Sequence, residues 1–140
     1  MNTINNYPLT SIVILNYNGG DDLFECIESV LQTKECKYEI ILIDNGSRDN
    51  SHIKCKNEFP KIKLIENTKN IGMAARNMGI ENSKADFVAF LDSDTLVEKY
   101  WLKYLIESFK KHGEGLYQPK ILETQNKNII SSCGNLINIF

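Results

Sequence analysis

Asp86-Phe-Val-Ala-Phe-Leu-Asp-Ser-Asp94 is the stretch on which the fold of this chain turns. Asp86 to Leu91 is an apolar run that opens on a single charge, and such a run reads as a buried strand. Two carboxylates, Asp92 and Asp94, stand one residue apart at its end. They cannot both be buried without a partner, because an unpaired buried charge is too costly. A hard divalent cation is the economical partner. Mg²⁺ takes one or two protein carboxylates and fills its other positions with water and phosphate oxygens. The stretch therefore points to a metal-assisted site for a phosphorylated ligand, with a plain strand-to-loop cap as the simpler alternative.

Outward from this stretch, strand-like and helix-like patterns alternate. Ser11–Leu15, Glu39–Ile43 and Ile62–Ile65 are β-branched runs and predict three further strands. Helices are expected over 21–32, 49–58, 72–82 and 98–112, the last with Trp101, Leu102, Leu105, Ile106 and Phe109 inward. A fifth strand is expected over 115–122, and another strand or hairpin over 129–140. Alternation at this spacing means right-handed βαβ units, hence an α/β fold: a Rossmann-like, mostly parallel sheet with flanking helices.

Composition sets bounds on function. The chain has 140 residues, 42% hydrophobic and 24% charged, with a net charge of -2. That fits one globular domain, 1–140, large enough for a real core. No dense basic stripe with interleaved aromatics is present, so no nucleic-acid partner is expected. No apolar segment is long enough to span a bilayer, and Met1–Pro8 carries no signal-peptide core. Cys26, Cys36, Cys55 and Cys133 lie far apart, which argues against a zinc site and for free thiols in a reducing cytoplasm. His52 and His112 fall in helical, exposed positions and read as surface residues.

In a parallel sheet, ligands bind outside the carboxyl ends of the strands. Those ends carry Asn16-Tyr17-Asn18, Asp44-Asn45, Asn67 with Asn70, and Asp92-Ser93-Asp94. Asn and Asp make good turns, which explains any one loop. Four such loops at one sheet edge point to a shared polar site. The first loop, Asn16-Tyr-Asn-Gly-Gly20, is no GxGxxG, and the next helix opens with Asp21 and Asp22. Those carboxylates complement the helix dipole and repel a phosphate placed there. A diphosphate must then be neutralised elsewhere, at Asp92 and Asp94 with a metal. Asp44 is placed for a ribose hydroxyl or a base N–H, and Arg76 for a phosphate or a surface ion pair.

Four segments, in this order and spacing, match one family together: Ile12-Val-Ile-Leu-Asn-Tyr-Asn-Gly19, Leu42-Ile-Asp-Asn-Gly-Ser-Arg-Asp49, Asn70-Ile-Gly-Met-Ala-Ala-Arg-Asn-Met-Gly79 and Phe90-Leu-Asp-Ser-Asp94. The chain resembles the family 2 glycosyltransferases of the GT-A fold. Gln118-Pro-Lys-Ile-Leu122 with Ile130-Ser-Ser-Cys-Gly134 is similar to the rhamnosyltransferase-like branch. The resemblance implies inverting transfer from a nucleotide-diphosphate sugar, UDP- or dTDP-linked, to a saccharide or lipid-linked acceptor, as in cell-surface polysaccharide synthesis. It implies that Asp44 holds base or ribose, that Asn16 and Tyr17 line the base pocket beside Asn45, and that Arg76 sits near the nucleotide. Asp92 would contact ribose or metal-bound water, and Asp94 would ligate Mn²⁺ or Mg²⁺ on the diphosphate.

Family members carry an acceptor site and a general-base carboxylate beyond this point. The later carboxylates here, Glu98, Glu107, Glu114 and Glu123, make no convincing base, which must lie within hydrogen-bond reach of the acceptor. The expectation is therefore a truncated, donor-binding half with the base beyond Phe140 and little turnover of its own. A dimer is expected through an exposed strand edge near 129–140, as is peripheral membrane association of a longer parent. Two alternatives stand. One is a non-catalytic nucleotide-binding or interaction domain. The other is a haloacid-dehalogenase-type phosphatase, whose Asp-x-Asp-x-Thr motif Asp92-Ser-Asp-Thr95 approaches with Thr95 one residue early.

Overall fold

The computed structural model describes residues 7–132. The β-branched runs form strands β1 (Leu9–Asn16), β2 (Lys37–Asp44), β3 (Lys63–Glu66) and β4 (Phe87–Asp92). All four lie parallel in one sheet of order β3-β2-β1-β4. The chain steps outward from β1 to β2 to β3, then returns past β1 to β4. Right-handed crossovers place the helices accordingly. Helices α1 (Gly20–Leu31) and α2 (Ser51–Glu58) share one face and touch each other. Helix α3 (Arg76–Asn82), entered through a 3-10 turn at Gly72–Ala75, lies on the other face against β1 and β2.

Strand side chains alternate between faces, so each strand serves both layers. Val13, Ile41, Ile43 and Ala75 form the core under α3, with Leu15, Ile65, Met78 and Val88 packed on it. Ile12, Ile14, Ile40 and Leu42 point the opposite way and are equally buried. Helix α1 turns Leu23, Cys26, Ile27 and Val30 inward. Helix α3 approaches very closely: a Cβ on Gly79 would overlap both methyls of Val13.

The direction reversal falls between β1 and β4, where Leu15 pairs with Asp92 in register. That is a topological switch point, the place where open α/β sheets take their ligands.

The structure changes several expectations. Strand β4 pairs only with β1 among the described residues, so the run read as buried is an edge strand, with Phe90 41% exposed. The expected helix over 72–82 opens as a 3-10 turn. The helix expected over 98–112 starts at Trp101, leaving Glu98 exposed before it. The fifth strand shrinks to Ile121–Leu122 (β5), which pairs antiparallel with Ile130–Ser132 (β6) apart from the main sheet. The edge expected over 129–140 otherwise lies outside the described residues, as does Cys133. Cys26, Cys36 and Cys55 are free and buried.

Two compact units divide the chain, Met1–Lys99 and Tyr100–Phe140, where the sequence reads as one domain. The second contains α4 (Trp101–His112), β5 and β6. Its helix ends at Gly113, whose φ of +85° suits glycine, and Lys110, Lys111 and His112 complement the negative end of the dipole. Phe109 and Tyr117 meet edge to face at 6.5 Å, and the Tyr117 hydroxyl donates to the Gly113 carbonyl at 2.6 Å. Among the described residues no helix is long and apolar enough to cross a membrane.

Candidate functional site

A cleft of about 390 Å³ opens at the carboxyl end of the sheet. Its walls include Tyr17, Asn18 and Asp22 on one side, Asn45, Asn70 and Met73 on another, and Asp92, Ser93 and Asp94 on the third. The four loops do converge, but they contribute differently.

Asn16 and Asp44 end neighbouring strands in register and point to the α2 face. Both are buried, at 0% and 2% exposure. Asn16 Nδ2 lies 2.9 Å from Asp44 Oδ1, 3.1 Å from Ser47 Oγ and 3.3 Å from Ser51 Oγ. Asn16 Oδ1 accepts from Gly19 N at 3.2 Å, and Asp44 Oδ2 accepts from Ser47 N at 2.9 Å. Ser47 Oγ in turn accepts from Asn18 N at 2.9 Å. The two side chains expected to touch a base or ribose thus bind each other and brace the loops from beneath. The cleft does not reach either of them.

Asn45 extends one residue further and so faces the α3 side. It lines the cleft, yet its amide is engaged on both ends. Nδ2 donates to Asn70 Oδ1 at 2.9 Å and to the Gly72 carbonyl at 3.1 Å. Oδ1 accepts from Ile71 N at 3.1 Å and Asn67 Nδ2 at 3.3 Å. Asn45 therefore stitches the loop after β2 to the loop after β3 instead of offering a free amide. Gly46 completes the stitch. At φ +81°, with a would-be Cβ running into the Lys69 backbone, the position admits little but glycine.

The start of α1 is filled by carboxylates, as its sequence implies. Asp49 Oδ2 accepts from Gly20 N at 2.9 Å, while Asp49 Oδ1 accepts from Ser51 N at 3.0 Å and from the Ser51 hydroxyl at 2.8 Å. Burial pushes the Asp49 carboxyl up, but these hydrogen bonds from Ser51 and Gly20 outweigh it and hold it below the usual range. With Asp21 and Asp22 also in the first turn, that helix end repels a phosphate.

The β4 end is different. Asp92 shares the face of Val88 and Phe90, toward α3, and meets Arg76 there. Arg76 Nη2 donates to Asp92 Oδ1 at 2.5 Å, and the guanidinium lies 6.0 Å from the Phe90 ring centre. Arg76 Nε is buried with no hydrogen-bond partner. The Asp92 side chain is 59% exposed and its second oxygen is open. Asp94 is exposed, and among the described residues its carboxylate takes no hydrogen bond. Ser93 N donates to the Leu15 carbonyl at 3.1 Å, which fixes this loop beside β1. Beneath it, burial pushes the Cys26 thiol up to about 12, a hydrogen bond from Thr95 opposes this, and the charges of Asp94 and Asp92 add to the rise. Cys26 therefore stays a neutral thiol, its Sγ 3.6 Å from the Asp92 carbonyl, and is no nucleophile.

Among the described residues no three His, Cys, Asp or Glu side chains gather into a protein cage for a metal. The donor set that is present, two exposed carboxylates with open oxygens and no nitrogen or sulfur ligand, fits a hard cation that draws its other ligands from phosphate and water. Asp94 and the free oxygen of Asp92 would hold it.

His52 corrects the sequence reading outright. It is 5% exposed, with Nδ1 3.3 Å from Asp44 Oδ1 and Nε2 3.4 Å from Glu66 Oε1. Ser47 and Ser51 were also overlooked. The spacing of Ser47, three residues after Asp44, is the signal for the side-chain-capped turn it makes.

A family model, glycosyl transferase family 2, matches residues 11–130. The glycosyltransferase GlyG of Streptococcus pneumoniae is 33% identical over 107 residues, 74% of this chain and 36% of that protein. A poly-beta-1,6-N-acetyl-D-glucosamine synthase of Staphylococcus aureus is 38% identical over 122 residues, 81% of this chain and 28% of that protein. The chain thus spans well under half the length of these relatives. The crystal structure of S. aureus TarS 1-349 in complex with UDP-GlcNAc superposes with a TM-score of 0.65 at 21% identity, covering 81% of this chain and 40% of that one. The fold is the one expected from the sequence.

Proposed function

The chain belongs to glycosyl transferase family 2, and from that premise we propose that it forms the donor-binding part of an inverting glycosyltransferase. The donor is a nucleotide-diphosphate sugar, and the acceptor a saccharide or lipid-linked glycan in cell-surface polysaccharide synthesis. One observation carries this reading. At the switch point beside β1, the only acidic side chains with open oxygens at the end of β4, Asp92 and Asp94, stand next to Arg76, while the helix end that could take a phosphate is already filled by Asp49. One relative is a poly-beta-1,6-N-acetyl-D-glucosamine synthase, and TarS has been seen in complex with UDP-GlcNAc.

The chemistry follows from these residues. Asp94 and Asp92 would hold a divalent cation, which when bound would supply positive charge opposite the leaving diphosphate. Arg76 adds a second, fixed positive charge on the same side. Its pair with Asp92 keeps the guanidinium extended toward the cleft before any nucleotide arrives. Tyr17, 49% exposed, and Met73, 69% exposed, offer apolar surface for a base from opposite walls. The phosphatase alternative falls with the family match.

Thermal melting with UDP or dTDP, each with and without Mn²⁺ or Mg²⁺, tests the proposal. The melting temperature should rise only when nucleotide and metal are both present, by linkage of about 2.7 kcal/mol at a hundredfold excess over the dissociation constant. No shift under any combination would overturn it.

A further inference from the structure

We infer that His52 is a positioning residue of the nucleotide site: it braces the buried Asp44 carboxylate from which the Asn18–Gly19 wall of the cleft hangs. The inference rests on the donor-binding reading above and adds to it a residue that lies outside the four motif segments.

The Asp44 side chain is 3% exposed and carries a formal charge. Its hydrogen bonds come from Asn16 Nδ2 and Ser47 N, both neutral donors. A carboxylate so deeply buried is held at a cost unless a positive partner offsets it. His52 is the basic side chain in place to do so, 3.3 Å away at Nδ1, with its other nitrogen 3.4 Å from Glu66 Oε1. Each ring nitrogen thus faces a carboxylate oxygen, one from β2 and one from β3. Glu66 is 60% exposed and water can solvate it, so the histidine matters chiefly for Asp44. Nδ1 makes no hydrogen bond, so the contact with Asp44 is one of proximity rather than direction.

The consequence reaches the cleft by two short routes. Asp44 holds Asn16, whose Oδ1 fixes Gly19 N. Asp44 also holds Ser47, whose hydroxyl fixes Asn18 N. Asn18 and Gly19 both line the cleft beside Tyr17. A side chain that touches no ligand therefore sets the height of the wall on which the nucleotide lies. Helix α2 brings His52 to this place by burying a polar face, Ser51, His52 and Cys55.

A double-mutant cycle on the 140-residue chain tests this, with UDP and Mn²⁺ as the probe and calorimetric affinity as the readout. His52→Leu keeps the bulk and removes both ring nitrogens, and it should weaken UDP binding about tenfold. In the Asp44→Asn background the same substitution should cost nothing further, because no buried charge is left to offset. Equal losses in both backgrounds would mean that His52 only fills space, and would overturn the inference, as would wild-type affinity in His52→Leu. If His52→Leu does not fold, His52→Gln takes its place in the cycle. Failure of the wild-type chain to bind UDP with Mn²⁺ would instead sink the donor-binding reading itself, and this inference with it.

Discussion

The loops after β1 and β2 and the loop after β4 are made of the same residue types and behave in opposite ways. Asn16, Asp44 and Asn45 are buried at 0%, 2% and 2%, and their polar atoms are used up within the protein. Asp92 and Asp94 are exposed, with oxygens to spare. The difference comes from sheet geometry. The first two loops sit between two strands that are both covered by helices, so an Asn or Asp there must find protein partners. Strand β4 is paired on one side only among the described residues, and its terminal carboxylates can remain in water. One set of loops builds the wall, and the other meets what binds against it.

Substitutions should separate the two sets. The largest effect on the fold is expected from Asp44→Ala, which leaves Ser47 N without its acceptor and takes from buried Asn16 Nδ2 its shortest one. The loss should be about 3 kcal/mol of stability, read as a lower urea midpoint. A change under a tenth of that would erase the contrast. Asp94→Asn should reverse the pattern: stability within about 0.5 kcal/mol of the parent, but no metal-dependent stabilisation by UDP. Retained metal-dependent binding would remove Asp94 from the site.

The smallest effect concerns acid. The Asp49 carboxyl is held below its ordinary value of 3.8 by Ser51 and Gly20. A group depressed on folding adds stability that is present above its unfolded value and is lost as pH falls through the folded one. Asp49→Asn should therefore lower stability slightly at neutral pH and flatten the decline of stability below pH 3.8. An unchanged acid limb would show that these hydrogen bonds do not hold the charged form.

Much of this was legible in the sequence. The apolar and β-branched runs gave four strands in the right places; in β1 and β2 burial on both faces leaves a continuous apolar signature. The four polar loops and the carboxylate pair were legible as one edge. Which loop residues stay free was not, because Asn and Asp serve turns, braces and ligands alike. His52 escaped for a sharper reason. Helix α2 buries Ser51, His52 and Cys55, so apolar periodicity marks the wrong face, and Ile53 is 46% exposed. The strand expected over 115–122 failed because Leu116 lies 90% exposed and only Ile121–Leu122 find a partner. Apolar letters alone do not make a strand without a neighbour to pair with.

Gly79 has a reach beyond its own contact. It lies one turn along from Arg76 on α3, pressed against Val13, and no atom separates helix from strand there. Val13 belongs to the strand that carries Leu15, the register partner of Asp92. The missing side chain is thus a shim of zero thickness that sets how far the guanidinium stands from the acid opposite. Even a methyl group at position 79 would tilt the helix away and open the pair from a distance, leaving every residue of the cleft in place but the charges out of step.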